Sequence, residues 1–203
     1  MSLSNWAKRS PANHVIILVA ILSAIALNLH YKDKPSAGSA MPDSSDAAIA
    51  SDPKIEALIM TVRWAEGTAS EDGYRTIFTG EKFDNFDDHP RKINCLPPDA
   101  NGKKLCSDAS GIAQFLSPTF DRVAKKKNLS DFSPESQRIA MIELMKERGM
   151  IALLEKGDVA GAIAAGAEEW ASLPRYNGDL DGVYNQSVKP MPSLLQKYEE
   201  YLK

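Results

Sequence analysis

Three scarcities organise this 203-residue chain: it has 2 cysteines, 3 histidines, and no Asp or Glu between Met1 and Tyr31. His14 and His30 lie in that N-terminal segment, so His89 is the sole histidine beyond it and no histidine pair exists to hold a metal. Two cysteines alone do not complete a tetrahedral zinc site, and neither a metal nor a cofactor is expected. An excess of basic charge is also missing. Setting Lys8 and Arg9 aside with the N-terminal segment leaves 24−2=22 basic side chains against 27 acidic ones, a formal charge of −5 that disfavours a nucleic-acid partner. The remaining composition, 43% hydrophobic and 25% charged with 12 Gly and 12 Pro, excludes a disordered or collagenous chain and leaves enough apolar matter for a core.

The acid-free segment holds the long apolar run. Val15 to Leu29 is interrupted only by Ser23 and Asn28, and Lys8 and Arg9 precede it. That order belongs to a single membrane anchor or to a cleaved secretory signal. Ala12 to Tyr31 would make about 30 Å of helix, enough to cross a bilayer core. Ala24-Ile25-Ala26 has the small-x-small form of a cleavage site. The layout is read as a signal-anchor transmembrane segment over residues 1–31 and a flexible linker over residues 32–52, punctuated by Pro35, Gly38 and Pro42. A compact domain follows over residues 53–203, held at the inner membrane and facing the periplasm, or free there if the segment is cleaved. Either outcome exports the domain and places Cys95 and Cys106 in an oxidising compartment. A disulfide between them, worth about 3 kcal/mol by loop entropy, is then expected, with two buried free thiols as the alternative.

Along the domain, Asp52 and Pro53 suit a helix start, and Ile55, Leu58, Ile59 and Val62 form a stripe that Gly67 ends. Glu66 continues the stripe, on the face of Ile55, Ile59 and Val62. A carboxyl surrounded by apolar groups has its charged form disfavoured and can stay protonated to donate. The plainer reading is a glutamate that snorkels to solvent or pairs with Arg63. Thr68 to Leu96 reads as loops and a small hairpin of Tyr74–Thr79 and Glu81–Phe86. Asp84, Asp87, Asp88 and His89 crowd there without the spacing of a calcium loop, though one of the carboxylates is available as the second acid of a two-carboxylate glycosidase. Helices are expected from Ser117 to Lys127, from Ser133 to a stop at Gly149, from a cap at Asp158 to Trp170, and over the stripe Leu194, Leu195, Tyr198 and Leu202. Leu173 to Met191 reads as irregular. The class is α+β, mainly α, with a small β lobe.

Several stretches agree on one family: Trp64-Ala65-Glu66-Gly67-Thr68, Phe83 with Asp88-His89-Pro90-Arg91-Lys92, Gly111 with Gln114, Asp131-Phe132-Ser133-Pro134, Lys146-Glu147-Arg148-Gly149, and Trp170-Ala171-Ser172-Leu173-Pro174. In this order the chain resembles the bacteriophage lambda endolysin family, lytic transglycosylases of lysozyme-like fold in glycoside hydrolase family 104. The resemblance implies a monomer that cleaves peptidoglycan glycan strands between N-acetylmuramic acid and N-acetylglucosamine. It puts the catalytic acid on Glu66. That carboxyl would protonate the leaving oxygen and then deprotonate the sugar's own 6-hydroxyl, which closes a 1,6-anhydro ring without consuming water. It further suggests Gln114 as a substrate-binding residue, with a plain surface amide as the alternative. An aromatic face with a hydroxyl tip suits pyranose rings, so Tyr74, Tyr176 and Tyr184 are candidate sugar-stacking walls, with core packing as the alternative, while Trp64 and Trp170 read as core.

Two features depart from the family pattern. The Cys95 to Cys106 segment is longer than expected in a region that would overhang the cleft, and the tail motif is displaced to Tyr184-Asn185-Gln186. The rival readings are a hydrolytic lysozyme on the same fold, with Asp84, Asp87 or Asp88 positioning water, and a non-catalytic wall-binding protein that assists lysis.

Overall fold

The computed structural model describes residue 49 and residues 51–100, 102–184 and 187–203. The N-terminal apolar run and most of the linker lie outside these residues. Among the described residues no helix is long and apolar enough to cross a membrane.

Among the described residues six α-helices carry the domain: α1 Pro53–Ala65, α2 Ser117–Lys127, α3 Pro134–Glu147, α4 Met150–Glu155, α5 Val159–Ala165 and α6 Met191–Tyr201. Three of the six starts, those of α1, α3 and α5, follow from side chains that accept the first free amides. Asp52 accepts from Lys54 N–H at 2.8 Å, Ser133 from Ser136 N–H at 3.2 Å and Asp158 from Gly161 N–H at 2.8 Å. α1 packs on α6, α2 on α3 and α4 on α5. Between them lies one core built around Leu58, Ile59, Phe115, Phe132, Met141, Met145, Ile163 and Trp170, each at most 1% exposed.

The expected Ala-rich helix to Trp170 is shorter than its periodicity suggests. It ends at Ala165 and tightens into a 3-10 turn, Gly166–Glu168. A Cβ at Gly166 would stand 2.9 Å from both Leu173 and Met150, so the chain passes close to both side chains here. The helix must turn at that point for Trp170 to reach the core. α4 is a helix that the reading of Gly149 as a stop did not foresee. Gly149, at φ 71°, does end α3, but the chain re-enters a helix at once and buries Met150, Ile151 and Leu154.

The expected hairpin over Tyr74–Thr79 and Glu81–Phe86 also needs correction. Its first part belongs to a 3-10 turn, Glu71–Arg75, and what remains of it is short: Thr76 and Lys82 pair as an isolated bridge, flanked by backbone bonds from Ile77 N–H to Glu81 O at 2.9 Å and from Phe83 N–H to Arg75 O at 3.0 Å. The Arg75 guanidinium binds the carbonyls of Phe83 and Asp84, at 3.0 and 2.5 Å, and adds to the hold on that loop. The two-stranded sheet lies elsewhere, β1 Asn94–Cys95 against β2 Cys106–Ser107, antiparallel with Cys95 opposite Cys106. Those two cysteines form the disulfide.

Candidate active site

The helix that carries Glu66 ends in a closed turn. Glu66 caps α1, Gly67 follows at φ 74°, Gly67 N–H donates to Trp64 O at 3.2 Å, and Thr68 N–H donates to Arg63 O at 2.7 Å. This is the left-handed glycine closure that a side chain at Gly67 would strain. Thr68 then donates its hydroxyl to Ile112 O at 2.5 Å, fixing the turn against the segment 111–114. Arg63 does not pair with Glu66. It is buried, and its guanidinium donates to the carbonyls of Thr68 and Ser70. The five-residue stretch Trp64 to Thr68 is thus an acid mounted on a helix end that its neighbours immobilise.

Glu66 is 7% exposed. Ser172 Oγ donates to its Oε1 at 2.5 Å, while the buried Oε2 has no hydrogen-bond partner among the described residues. Burial pushes the carboxyl up from 4.5 to about 7, against the opposing pull of the Ser172 hydrogen bonds and of the Lys189 cation. Such a group exchanges a proton near neutrality, as an acid that must later act as a base requires. Ser172 is itself held at both ends. Two residues before it, the fully buried Trp170 donates Nε1–H to Ala113 O at 3.2 Å, and its own carbonyl accepts Lys189 N–H at 2.8 Å. The Lys189 ammonium rests over the Trp64 ring at 5.2 Å.

The other residues singled out from sequence divide into two places. Gln114 and Tyr184 meet in one cavity of about 250 Å3, whose walls also include Arg122, Arg148 and Glu169 but not Glu66. Gln114 is buried at φ 47°, and its Nε2 donates to the carbonyls of Thr76 and Gly111. Tyr184 donates its hydroxyl to Glu168 O at 2.7 Å. Asn185 and Gln186 lie outside the described residues. Tyr74 stands apart: its ring lies 4.9 Å beneath the Arg63 guanidinium and packs against the core. Tyr176 is exposed, Trp170 is core as expected, and Trp64 is half-buried against the core.

The crowd of Asp84, Asp87, Asp88 and His89 is a structural corner. Arg91 binds Asp88 at 3.2 Å and reaches Asp121 of α2 at 2.7 Å. His89 is 2% exposed, donates Nε2–H to Phe115 O at 2.8 Å and accepts Arg91 N–H at Nδ1. Among the described residues no cluster of His, Cys, Asp and Glu is arranged to hold a metal ion.

The roles of two residues escaped the sequence reading. Ser172, quoted only as part of the Trp170–Pro174 stretch, lies in a turn 106 residues from Glu66 and carries no periodic signal. Asp179, 4% exposed, staples the loop after it by accepting from the Arg175 side chain and from the N–H groups of Arg175, Asp181 and Gly182. Its position in Asp179-Leu180-Asp181-Gly182 is the turn signal that would have marked it.

The protein-family model described as Endolysin matches residues 56–202. The chain is 35% identical over 151 residues to the endolysin of Escherichia phage lambda, covering 71% of this chain and 89% of that protein. It is 34% identical over 130 residues to the endolysin of Escherichia phage P2, covering 59% and 79%. A structure of bacteriophage lambda lysozyme complexed with a chitohexasaccharide superposes with a TM-score of 0.63 at 33% identity, over 74% of this chain and 94% of that one. With a lambda lysozyme-like fold and a family match across nearly all of its folded part, this chain belongs to the endolysin family.

Proposed function

We propose that this endolysin-family glycosidase is a peptidoglycan lytic transglycosylase in which Glu66 is both acid and base. The observation that carries the reading is the buried Glu66 carboxyl, raised to about 7 and flanked by a hydroxyl and a cation rather than by a second carboxylate. Protonated Glu66 gives its proton to the glycosidic oxygen between N-acetylmuramic acid and N-acetylglucosamine, and the bond from that oxygen to the muramic C1 breaks. The N-acetylglucosamine leaves with a 4-hydroxyl. The muramic 6-hydroxyl then attacks C1, and its proton returns to Glu66 as the 1,6-anhydro ring closes. One carboxyl suffices because no water has to be held, and the acid is restored at the end of each cycle. Asp88 is tied to Arg91, which leaves it poorly suited to position a water as a hydrolase would require.

Gln114 and Tyr184 are assigned to substrate binding. The Gln114 Nε2 is engaged by backbone carbonyls, so its Oε1 is the atom for an acetamido N–H, and the Tyr184 ring offers a face to a pyranose. The complex of the lambda enzyme with a chitohexasaccharide supports a cleft that takes N-acetylated glycan. The test is to digest purified peptidoglycan with the full-length chain and weigh the products. Anhydro ends lighter by one water than reducing ends are expected, and reducing ends throughout would establish the hydrolytic alternative. Glu66→Gln should abolish cleavage, and undiminished cleavage would show that Glu66 is not the acid; wild-type protein that binds the wall without cleaving it would establish the wall-binding alternative.

The same reading places the chain at the inner membrane by an uncleaved segment within residues 1–31, with the domain in the periplasm. Lys8 and Arg9 before the apolar run support that orientation. N-terminal sequencing of membrane-extracted protein should begin at Met1 or Ser2, and a start at Leu27 or beyond would show cleavage.

A further inference from the structure

The two oxygens of Glu66 are unequal. Oε1 accepts the Ser172 hydroxyl at 2.5 Å, whereas Oε2 is buried with no partner among the described residues. Buried polar atoms are nearly always satisfied, and one that is not calls for an explanation, of which a catalytic role is one. Taking Glu66 as the proton-transferring group, as proposed above, we infer that Ser172 is a positioning residue: it holds Oε1 and thereby dedicates Oε2 to the reacting oxygen atoms of the glycan. A hydroxyl that donates to Oε1 opposes protonation there, so the carboxyl proton resides on Oε2. It leaves from Oε2 to the glycosidic oxygen and returns to Oε2 from the muramic 6-hydroxyl, and Oε1 keeps its hydrogen bond throughout.

The surroundings of Ser172 fit a part whose location matters. It is 1% exposed. The backbone on one side is fixed by Trp170 on Ala113, and its own carbonyl is bound by Lys189 N–H. Lys189 in turn lies over Trp64, two residues before Glu66. Ser172 and Glu66 therefore share a frame closed by Trp64, Lys189 and the segment 112–113, to which Thr68 also bonds. A carboxylate free to rotate would present either oxygen and lose part of its aim, whereas a held one keeps the reacting atoms in line.

The experiment compares full-length wild type with Ser172→Ala, Ser172→Thr, Ser172→Cys and Glu66→Gln on soluble uncross-linked glycan strands, reading kcat and KM separately across pH. Ser172→Ala should lower kcat by about ten-fold or more with KM changed less than about two-fold, since positioned proton transfer contributes on that scale or above. The hydroxyl also favours the charged form of Glu66, so its removal should move the alkaline fall of kcat/KM to higher pH. Ser172→Thr retains the donor and should retain both kcat and the position of that fall. Should Ser172→Ala not fold, Ser172→Cys, a weaker donor of similar shape, takes its place with the same expected direction. The positioning role is overturned if Glu66→Gln is inactive while Ser172→Ala or Ser172→Cys keeps the wild-type kcat and pH profile. It is equally overturned if all three Ser172 variants lose activity alike with the alkaline fall unmoved, which is the behaviour of a packing residue. Activity in Glu66→Gln would instead remove the assignment of Glu66 on which this inference rests.

Discussion

Gln137 Oε1 accepts the backbone N–H of Ile112 at 3.0 Å, deep enough that neither residue has any exposure. The same amide donates Nε2–H to Tyr74 O and to Phe132 O, at 2.9 and 2.8 Å. One side chain on α3 thereby ties together the 3-10 turn, the Phe132 corner and the segment that Thr68 uses to fix the catalytic turn. A Cβ at Gly111 would meet this amide at 2.3 Å, so the glycine before Ile112 is needed both for its φ of 76° and for the room it leaves.

Replacing Gln137 with Leu should cost about 3 kcal/mol, because two buried backbone groups and a third part-buried one lose their partner. Urea unfolding should show a lower midpoint at unchanged slope. A loss below about 1 kcal/mol would mean that the Ile112 segment is held by other contacts.

His89 makes a second, pH-dependent tie. Burial holds its pKa below the ordinary 6.5, and its ring packs edge-on against Phe132 with centroids 4.9 Å apart. A histidine whose folded pKa is depressed contributes stability that is present above the unfolded value and lost as pH falls through the folded one. His89→Gln keeps a donor for Phe115 O but cannot titrate. It should be less stable than wild type at pH 7 by about 2 kcal/mol, from lost ring packing. The gap between the two should narrow between pH 6.5 and pH 5. Parallel stability curves over that range would contradict a neutral buried His89.

Much of this fold is legible in the sequence where a local rule decides it. Asp52-Pro53 and Ser133-Pro134 start helices because their side chains satisfy amides within the same turn, and Gly67 and Gly149 end them because only the chain's own φ is at issue. Glu66 stands out for the same reason, as a carboxyl on an apolar stripe. The illegible parts depend on distant partners. Gln137 reads as an ordinary helical amide until Tyr74, 63 positions away, is folded against it. Ser172 acquires a role only when its turn meets α1. The two-residue strands around Cys95 and Cys106 are too short to produce an alternating pattern, whereas the cysteines themselves announced their pairing through the compartment they were expected to occupy.

That pairing gives a direct expectation. The disulfide joins residues 11 apart in sequence, and loop entropy values it at about 3 kcal/mol. Replacing both Cys95 and Cys106 with Ser should lower the Tm by roughly 10 °C for a chain of this size. Reductant should lower the Tm of wild type by a similar amount and leave the double variant unaffected. An unchanged wild-type Tm in reductant would show that β1 and β2 hold without the bond.

Glu66 itself should weaken the fold at alkaline pH. Burial raises its pKa from 4.5 to about 7, so the folded state binds the proton more tightly than the unfolded state does. The sign is the reverse of an ion-paired carboxylate: its contribution is fully present below pH 4.5 and is lost as pH rises through about 7. The difference is worth about 3 kcal/mol. Glu66→Gln is close in shape and carries no charge at any pH. Urea unfolding should find the two proteins nearly equal at pH 4 and the variant more stable by up to about 3 kcal/mol at pH 8.5. The same wild-type protein should lose kcat/KM above about pH 7, as the acid form of Glu66 is depleted. Equal stabilities at pH 8.5 would mean that Glu66 ionises without penalty in the folded protein, and the buried acid would then have no physical basis for its raised pKa.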